Sequence, residues 1–186
     1  TDFSRSSCNK TDLSGIDFSG CKLTQFGLAG ADCRGGNFRN TVMTFAELTG
    51  GTFDGADFAG AKLDSAECRK GSFNDASFAG ADIAGASFEE AELSRANLAG
   101  AKARESRFIK ADLRKATATG GDFEYADFSY ANLELADFSR TNLSGSTMHL
   151  TMKETTNLDG ARTKGMKGTD LDLLEAETWK PKSTKS

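Results

Sequence analysis

The feature that most constrains this chain is a period of five. Taking every fifth residue from Phe3 to Met148 gives thirty positions, all occupied by Phe, Leu, Met, Ile, Cys or Ala. With 38% of the chain hydrophobic, chance alone would do this about once in 10^12 to 10^13 trials. The residue two places earlier is equally restricted: from Ala31 to Ser146 it is always Ala, Gly, Ser or Thr. The unit therefore reads small, polar, large apolar, polar, polar, as in Ala56-Asp57-Phe58-Ala59-Gly60.

Five matches neither the 3.6 residues of a helical turn nor the alternation of a strand, so either element would scatter the large residues over several faces. They are buried together only if the chain turns a corner in every unit, pointing each large residue and its small neighbour inward from a short, strand-like side.

Runs such as Ala81-Asp82-Ile83, Ala91-Glu92-Leu93, Ala96-Asn97-Leu98 and Ala111-Asp112-Leu113 resemble the pentapeptide-repeat family, whose motif is A(D/N)LXX, and the resemblance runs over roughly residues 1–163. It implies an all-β fold: a right-handed quadrilateral β-helix with twenty residues per coil, here about 7–8 coils. The expected organisation is a β-helix over 1–165, a short C-terminal capping helix over 166–180 and a disordered tail over 181–186. With four sides, residues twenty apart fall into columns. One reads Phe18, Phe38, Phe58, Phe78, Leu98, Ala118, Phe138, and another ends Phe88, Phe108, Phe128, Met148. Phe above Phe at the ~4.8 Å strand spacing predicts aromatic ladders inside a rod about 36 Å long. Ala103 and Ala118, the small members of the large class, predict a narrowed or underpacked stretch.

Thr1-Asp2-Phe3-Ser4-Arg5 is already in register, which suggests the C-terminal portion of a longer chain. The pattern decays after Met148, where Lys153 occupies a large-apolar position. Thr169-Asp170-Leu171-Asp172-Leu173-Leu174 then carries helix-start signals, and Leu171, Leu174 and Trp179 are expected to close the core over the last coil.

Little in the chain suggests chemistry. His149 is the single histidine and falls at an outward position, which predicts a surface side chain and leaves no triad or His-containing metal cluster. Cys8, Cys21, Cys33 and Cys68 match no zinc spacing and are read as buried, reduced thiols, suited to a cytoplasmic setting. The reading is therefore non-enzymatic, with no cofactor and no metal. A net charge of −4 argues against direct nucleic-acid binding, and no apolar run approaches the ~18 residues of a membrane span.

Two surfaces stand out as partner-binding candidates. On the side carrying the Phe18 column the last residue of the unit is Gly20, Asn40, Gly60, Gly80, Gly100, Gly120, Arg140 and Gly160. This predicts a flat strip with little side chain, edged by residues such as Asp57 and Asn97. The same glycines also suit corners that need positive φ. Near the C-terminal end Tyr125, Tyr130, Leu135 and Leu150 occupy outward positions that are otherwise polar or Gly, which predicts either a contact patch or a surface covered by the terminal helix.

These features favour a protein-protein interaction scaffold or adaptor. Thr169 to Pro181 is similar to the ends of pentapeptide-repeat regions in adaptor-like proteins associated with type VI secretion, which implies a secretion component or effector as partner. The alternative implied by the family is a DNA mimic that binds DNA gyrase. A charged, Lys-rich C-terminus and a small acidic excess depart from that branch.

Overall fold

The computed structural model describes residues 1–178. Along it, the second residue of each unit pairs through an isolated parallel bridge with the residue twenty further on, beginning at Asp2 with Lys22 and ending at Thr147 with Lys167. The linkage repeats without change: Phe58 N–H donates to the Ser77 carbonyl at 2.7 Å, and Ser77 N–H donates to the Ala56 carbonyl at 2.9 Å. Four five-residue sides thus close one coil. Each side holds a single bridged residue because only three residues separate one turn from the next.

The corners follow from the same unit. The first residue of a unit donates its N–H to the carbonyl three residues back, as Ala61 does to Phe58 at 3.0 Å. The third residue of that turn lies at positive φ, and this holds at every fifth position from Arg5 to Gly165 except Thr155. Eighteen of these corners carry a side chain other than Gly, at about 1 kcal/mol each, so the stacking of coils outweighs local preference. The polar second residue caps the corner. Asp17, Asp57 and Asp137 each accept the N–H two residues on at 2.9 Å, and Asn97 does the same for Ala99 at 3.0 Å. That is why Asp and Asn recur between the small and the large residue.

Inside, the columns pack as the sequence predicts. Phe38, Phe58 and Phe78 stack at 4.8 and 4.9 Å with nearly parallel rings, and Phe53 stacks on Phe73 at 5.0 Å. The aromatic column then changes side: Phe88, Phe108 and Phe128 stack at 5.2 Å, while Leu93 and Leu98 follow Phe73 and Phe78. Ala103 and Ala118 lie fully buried at this level, beside the Phe108 stack. Where Thr or Ser takes the inward small position its hydroxyl donates to a backbone carbonyl, as Thr41 does to Phe38 at 2.7 Å and Thr151 to Phe128 at 2.7 Å.

Three expectations are corrected at the ends. Cys33 and Cys68 are buried, but Cys8 and Cys21 are only partly so, because no coil among the described residues covers the first one. The helix α1, Leu171–Thr178, does not close the core with Leu171, which is 73% exposed. Instead it is held at the side of the rod, where the Asp170 N–H donates to His149 Nδ1 at 3.0 Å and Glu177 accepts from the Tyr130 hydroxyl. Asp170 itself caps α1, accepting from Asp172 and Leu173 N–H at 3.1 Å. His149, expected at the surface, is consequently only 2% exposed. The expected contribution of Trp179 lies outside the described residues.

Candidate interaction surface

The structure brings Asp57, Gly60, Gly80, Asn97, Gly100 and Gly120 onto one side of the rod, in register twenty residues apart. Bridges run Asp57 to Ser77 to Asn97 to Thr117, and Ala59, Ala79 and Ala99 lie beside them, half-buried. Gly60, Gly80, Gly100 and Gly120 have φ between 63° and 68°, so the glycines serve the corner as well as the flatness. A Cβ at Gly80, Gly100 or Gly120 would meet nothing within 4 Å, which leaves the backbone open to a close approach. Asp57 is the charged residue among these, paired with Arg39 at 2.7 Å.

The four outward aromatic and aliphatic residues do not form one patch. Tyr125 stands at one corner, Tyr130 and Leu150 share the next, and Leu135 occupies a third. Tyr130 is half-buried against His149, ring centroids 5.2 Å apart, and its hydroxyl donates to Glu177. That carboxylate pushes the Tyr130 phenol up to about 12. Tyr125 remains 57% exposed and Leu135 61%. The Tyr125 ring lies over Gly145, where a Cβ would come within 2.5 Å of it, and the Arg104 guanidinium is 5.7 Å from its centroid. Phe45, 58% exposed at a positive-φ corner, was not singled out from the sequence. Its signal was available: a large apolar residue at the fifth position of a unit.

Sequence profiles of the pentapeptide repeat match this geometry. One, described as a pentapeptide repeat region, covers residues 71–148; another, described as pentapeptide repeats (8 copies), covers 1–25, 28–64 and 43–78. This is a pentapeptide-repeat chain. Among solved structures it is similar to HetL, a pentapeptide repeat protein involved in heterocyst differentiation regulation from the cyanobacterium Nostoc sp.. That match has 23% identity over 89% of this chain and 86% of that one, with a TM-score of 0.42. It is also similar to trypsin-treated QnrB1, a plasmid-mediated fluoroquinolone resistance protein, at 19% identity over 95% and 96% of the two chains, with a TM-score of 0.39. A pentapeptide repeat protein of the Arabidopsis thaliana thylakoid lumen matches at 22% identity over 95% and 83%, with a TM-score of 0.24. No curated protein matches the chain.

Charge on the pentapeptide rod is arranged in belts. The coil 101–120 carries Lys102, Arg104, Arg107, Lys110, Arg114 and Lys115 against Glu105 and Asp112. The coil before it carries Asp82, Glu89, Glu90 and Glu92 against Arg95, and the coil after it Asp122, Glu124, Asp127, Glu134 and Asp137 against Arg140. Ion pairs cross the boundaries: Arg107 reaches Glu89 at 3.2 Å, Arg69 reaches the same carboxylate from the other side at 3.1 Å, and Arg104 pairs with Glu124. Sequence reading by period missed these belts because they appear only when residues are grouped by coil.

The two buried thiols, Cys33 and Cys68, are held in the unreactive protonated form. Burial pushes the Cys33 thiol up to about 12 and holds the Cys68 thiol well above its ordinary value. Among the described residues no group of three His, Cys, Asp or Glu side chains could hold a metal ion, and no helix is long and apolar enough to cross a membrane.

Proposed function

We propose that this pentapeptide rod is a non-catalytic scaffold that recognises another protein through its surface. The observation that supports this most directly is the side built on Asp57, Gly60, Gly80, Asn97, Gly100 and Gly120, where three stacked corners, Gly80, Gly100 and Gly120, leave the backbone open in the middle of the rod. Exposed Tyr125 and Leu135 extend the recognition surface toward the C-terminal end. On the resemblance of Thr169 to Pro181, the partner is a secretion component or effector.

The DNA-mimic reading fits less well. A phosphate mimic needs a continuous acidic field, whereas the basic coil 101–120 interrupts it and ion-pairs with both neighbours.

An affinity capture from native lysate with the full chain as bait, beside a Gly60→Arg, Gly80→Arg, Gly100→Arg variant, tests the proposal. The variant is expected to fold, because Arg140 occupies the same corner column at φ 56°, added side chains at Gly80 and Gly100 meet open space, and at Gly60 only the Asn40 amide, 2.6 Å from the added Cβ, has to turn away. Loss of a specific partner in the variant supports the flat side as the site. Capture of DNA gyrase supports the mimic instead, and no specific capture by either bait refutes the scaffold reading.

A further inference from the structure

Above residue 168 the chain leaves the β-helix and turns into α1, so no coil among the described residues stacks on the last rung of the rod, residues 161–168. One coil below, the equivalent backbone groups are all taken. Leu143 N–H donates to Arg162 at 2.7 Å, Gly145 N–H donates to Lys164 at 2.9 Å, and Arg162 N–H donates to Thr141 at 2.9 Å. In the last rung the N–H groups of Thr163, Gly165 and Gly168 and the carbonyls of Ala161 and Met166 have no partner among the described residues. Because α1 is held at the side of the rod by His149 and Tyr130, it leaves this edge uncovered. Beneath it Leu158, Ala161 and Met166 remain only partly buried. The rung is therefore a sheet edge with an apolar floor, the arrangement that accepts an added strand.

Its charge says what kind of strand. Arg162, Lys164 and Lys167 are exposed, and no acidic residue lies between 161 and 168. None of the three forms an ion pair among the described residues, in a chain whose net charge is −4. Below Lys164 and Lys167 an open groove of about 500 Å³ runs along Tyr125, Gly145 and Gly165; its one acid, Glu124, is paired with Arg104. The chain's own residues 179–186 carry Lys180, Lys182 and Lys185 and no acid, so they do not complement this rim.

We propose that the rung Ala161–Gly168 docks an extended acidic segment of a partner protein as an additional β-rung. The segment's backbone accepts from Thr163 and Gly165 N–H and donates to the Ala161 carbonyl. Its outward carboxylates meet Arg162, Lys164 and Lys167. This rests on the scaffold reading above and assigns it a second contact with a defined chemistry.

The test uses the full chain labelled with 15N and two eight-residue probes, one alternating Glu and Val, the other alternating Lys and Val. The Glu-Val probe is expected to bind, to shift and protect the amides of Thr163, Gly165 and Gly168, and to bind about tenfold or more weakly to a Lys164→Glu, Lys167→Glu variant. Equal binding of the Lys-Val probe, perturbation confined to other amides, or no binding of the Glu-Val probe overturns the proposal. If the Glu-Val probe fails while the unmodified chain still captures a partner, the docking edge is wrong and the scaffold reading stands.

Discussion

The backbone N–H of Asp170 donates to Nδ1 of His149 at 3.0 Å, across twenty-one residues of chain. An imidazole that accepts at Nδ1 carries its proton at Nε2, and here Nε2 is buried 3.6 Å from the Glu177 carboxylate, too far for a hydrogen bond. The single histidine is thus a peg for the start of α1, held through Asp170, while the Tyr130 hydroxyl ties down the last turn through Glu177.

Replacing His149 with Ala should release α1 without unwinding the rod. The expected loss is about 1–2 kcal/mol in the opening of α1, read as faster exchange of the Leu174 amide, with the core amides of Phe58 and Phe78 unchanged. Equal exchange of all these amides in the variant would show that α1 and the coils unfold together.

Tyr130 reports the same contact by pH. Its phenol is pushed up by Glu177 to about 12, above its ordinary value of about 10. A raised folded-state value stabilises fully below the unfolded one and is lost as pH rises through the folded one, so α1 should detach between about pH 10 and 12. Absorbance titration should place Tyr130 high in the native chain and return it toward about 10 in Glu177→Gln.

Glycines at inward and corner positions should behave differently. A Cβ at Gly51 or Gly71 would lie 2.6 Å from Cε2 of Phe53 or Phe73, inside a close-packed ladder, so either Ala variant should cost roughly 1–3 kcal/mol in chemical denaturation. At Gly80 the penalty comes only from φ +63°, so Gly80→Asn should be nearly neutral, as Asn40 at φ 53° suggests, and Gly80→Val distinctly worse.

The corner carboxylates predict the acid limb of stability. Asp12, Asp17 and Asp137 are held below the usual carboxylate value by the backbone N–H of Ser14, Ser19 and Ser139 and by the hydroxyls of the same residues. A lowered folded-state value stabilises above the unfolded one and is lost as pH falls through the folded one, so thermal stability should decline below about pH 4. Asp137→Asn should keep the cap and flatten that decline, whereas Asp137→Ala should lower stability at neutral pH as well.

Most of the rod was legible because a five-residue unit encodes its own geometry: Ala56 and Phe58 point inward, Asp57 caps, Gly60 turns. The flat side followed directly, since a column of glycines needs only the coil length to be aligned. What the sequence hid depends on contacts between distant units. His149 looks exposed from its place in the unit and is covered only because Asp170 and Glu177 return to it. Cys8 and Cys21 follow the inward pattern yet lack a covering coil. Tyr125, Tyr130 and Leu135 look like neighbours along the chain but stand at successive corners, since each five-residue step turns the chain to another side.

The alternating belts have a consequence for how such a rod can change length. Stacked repeats tolerate gain or loss only in steps of twenty, since a shorter step rotates every side onto its neighbour's place. Even a step of twenty is not free here. Excising 101–120 would set Asp82 directly beneath Asp122 and put Asp127 in the place of Arg107 beside Glu89, laying an acidic coil on an acidic coil and removing Arg107 from Glu89 and Arg104 from Glu124. The belts thus act as a key cut into an otherwise uniform shaft, giving each coil one place in the stack.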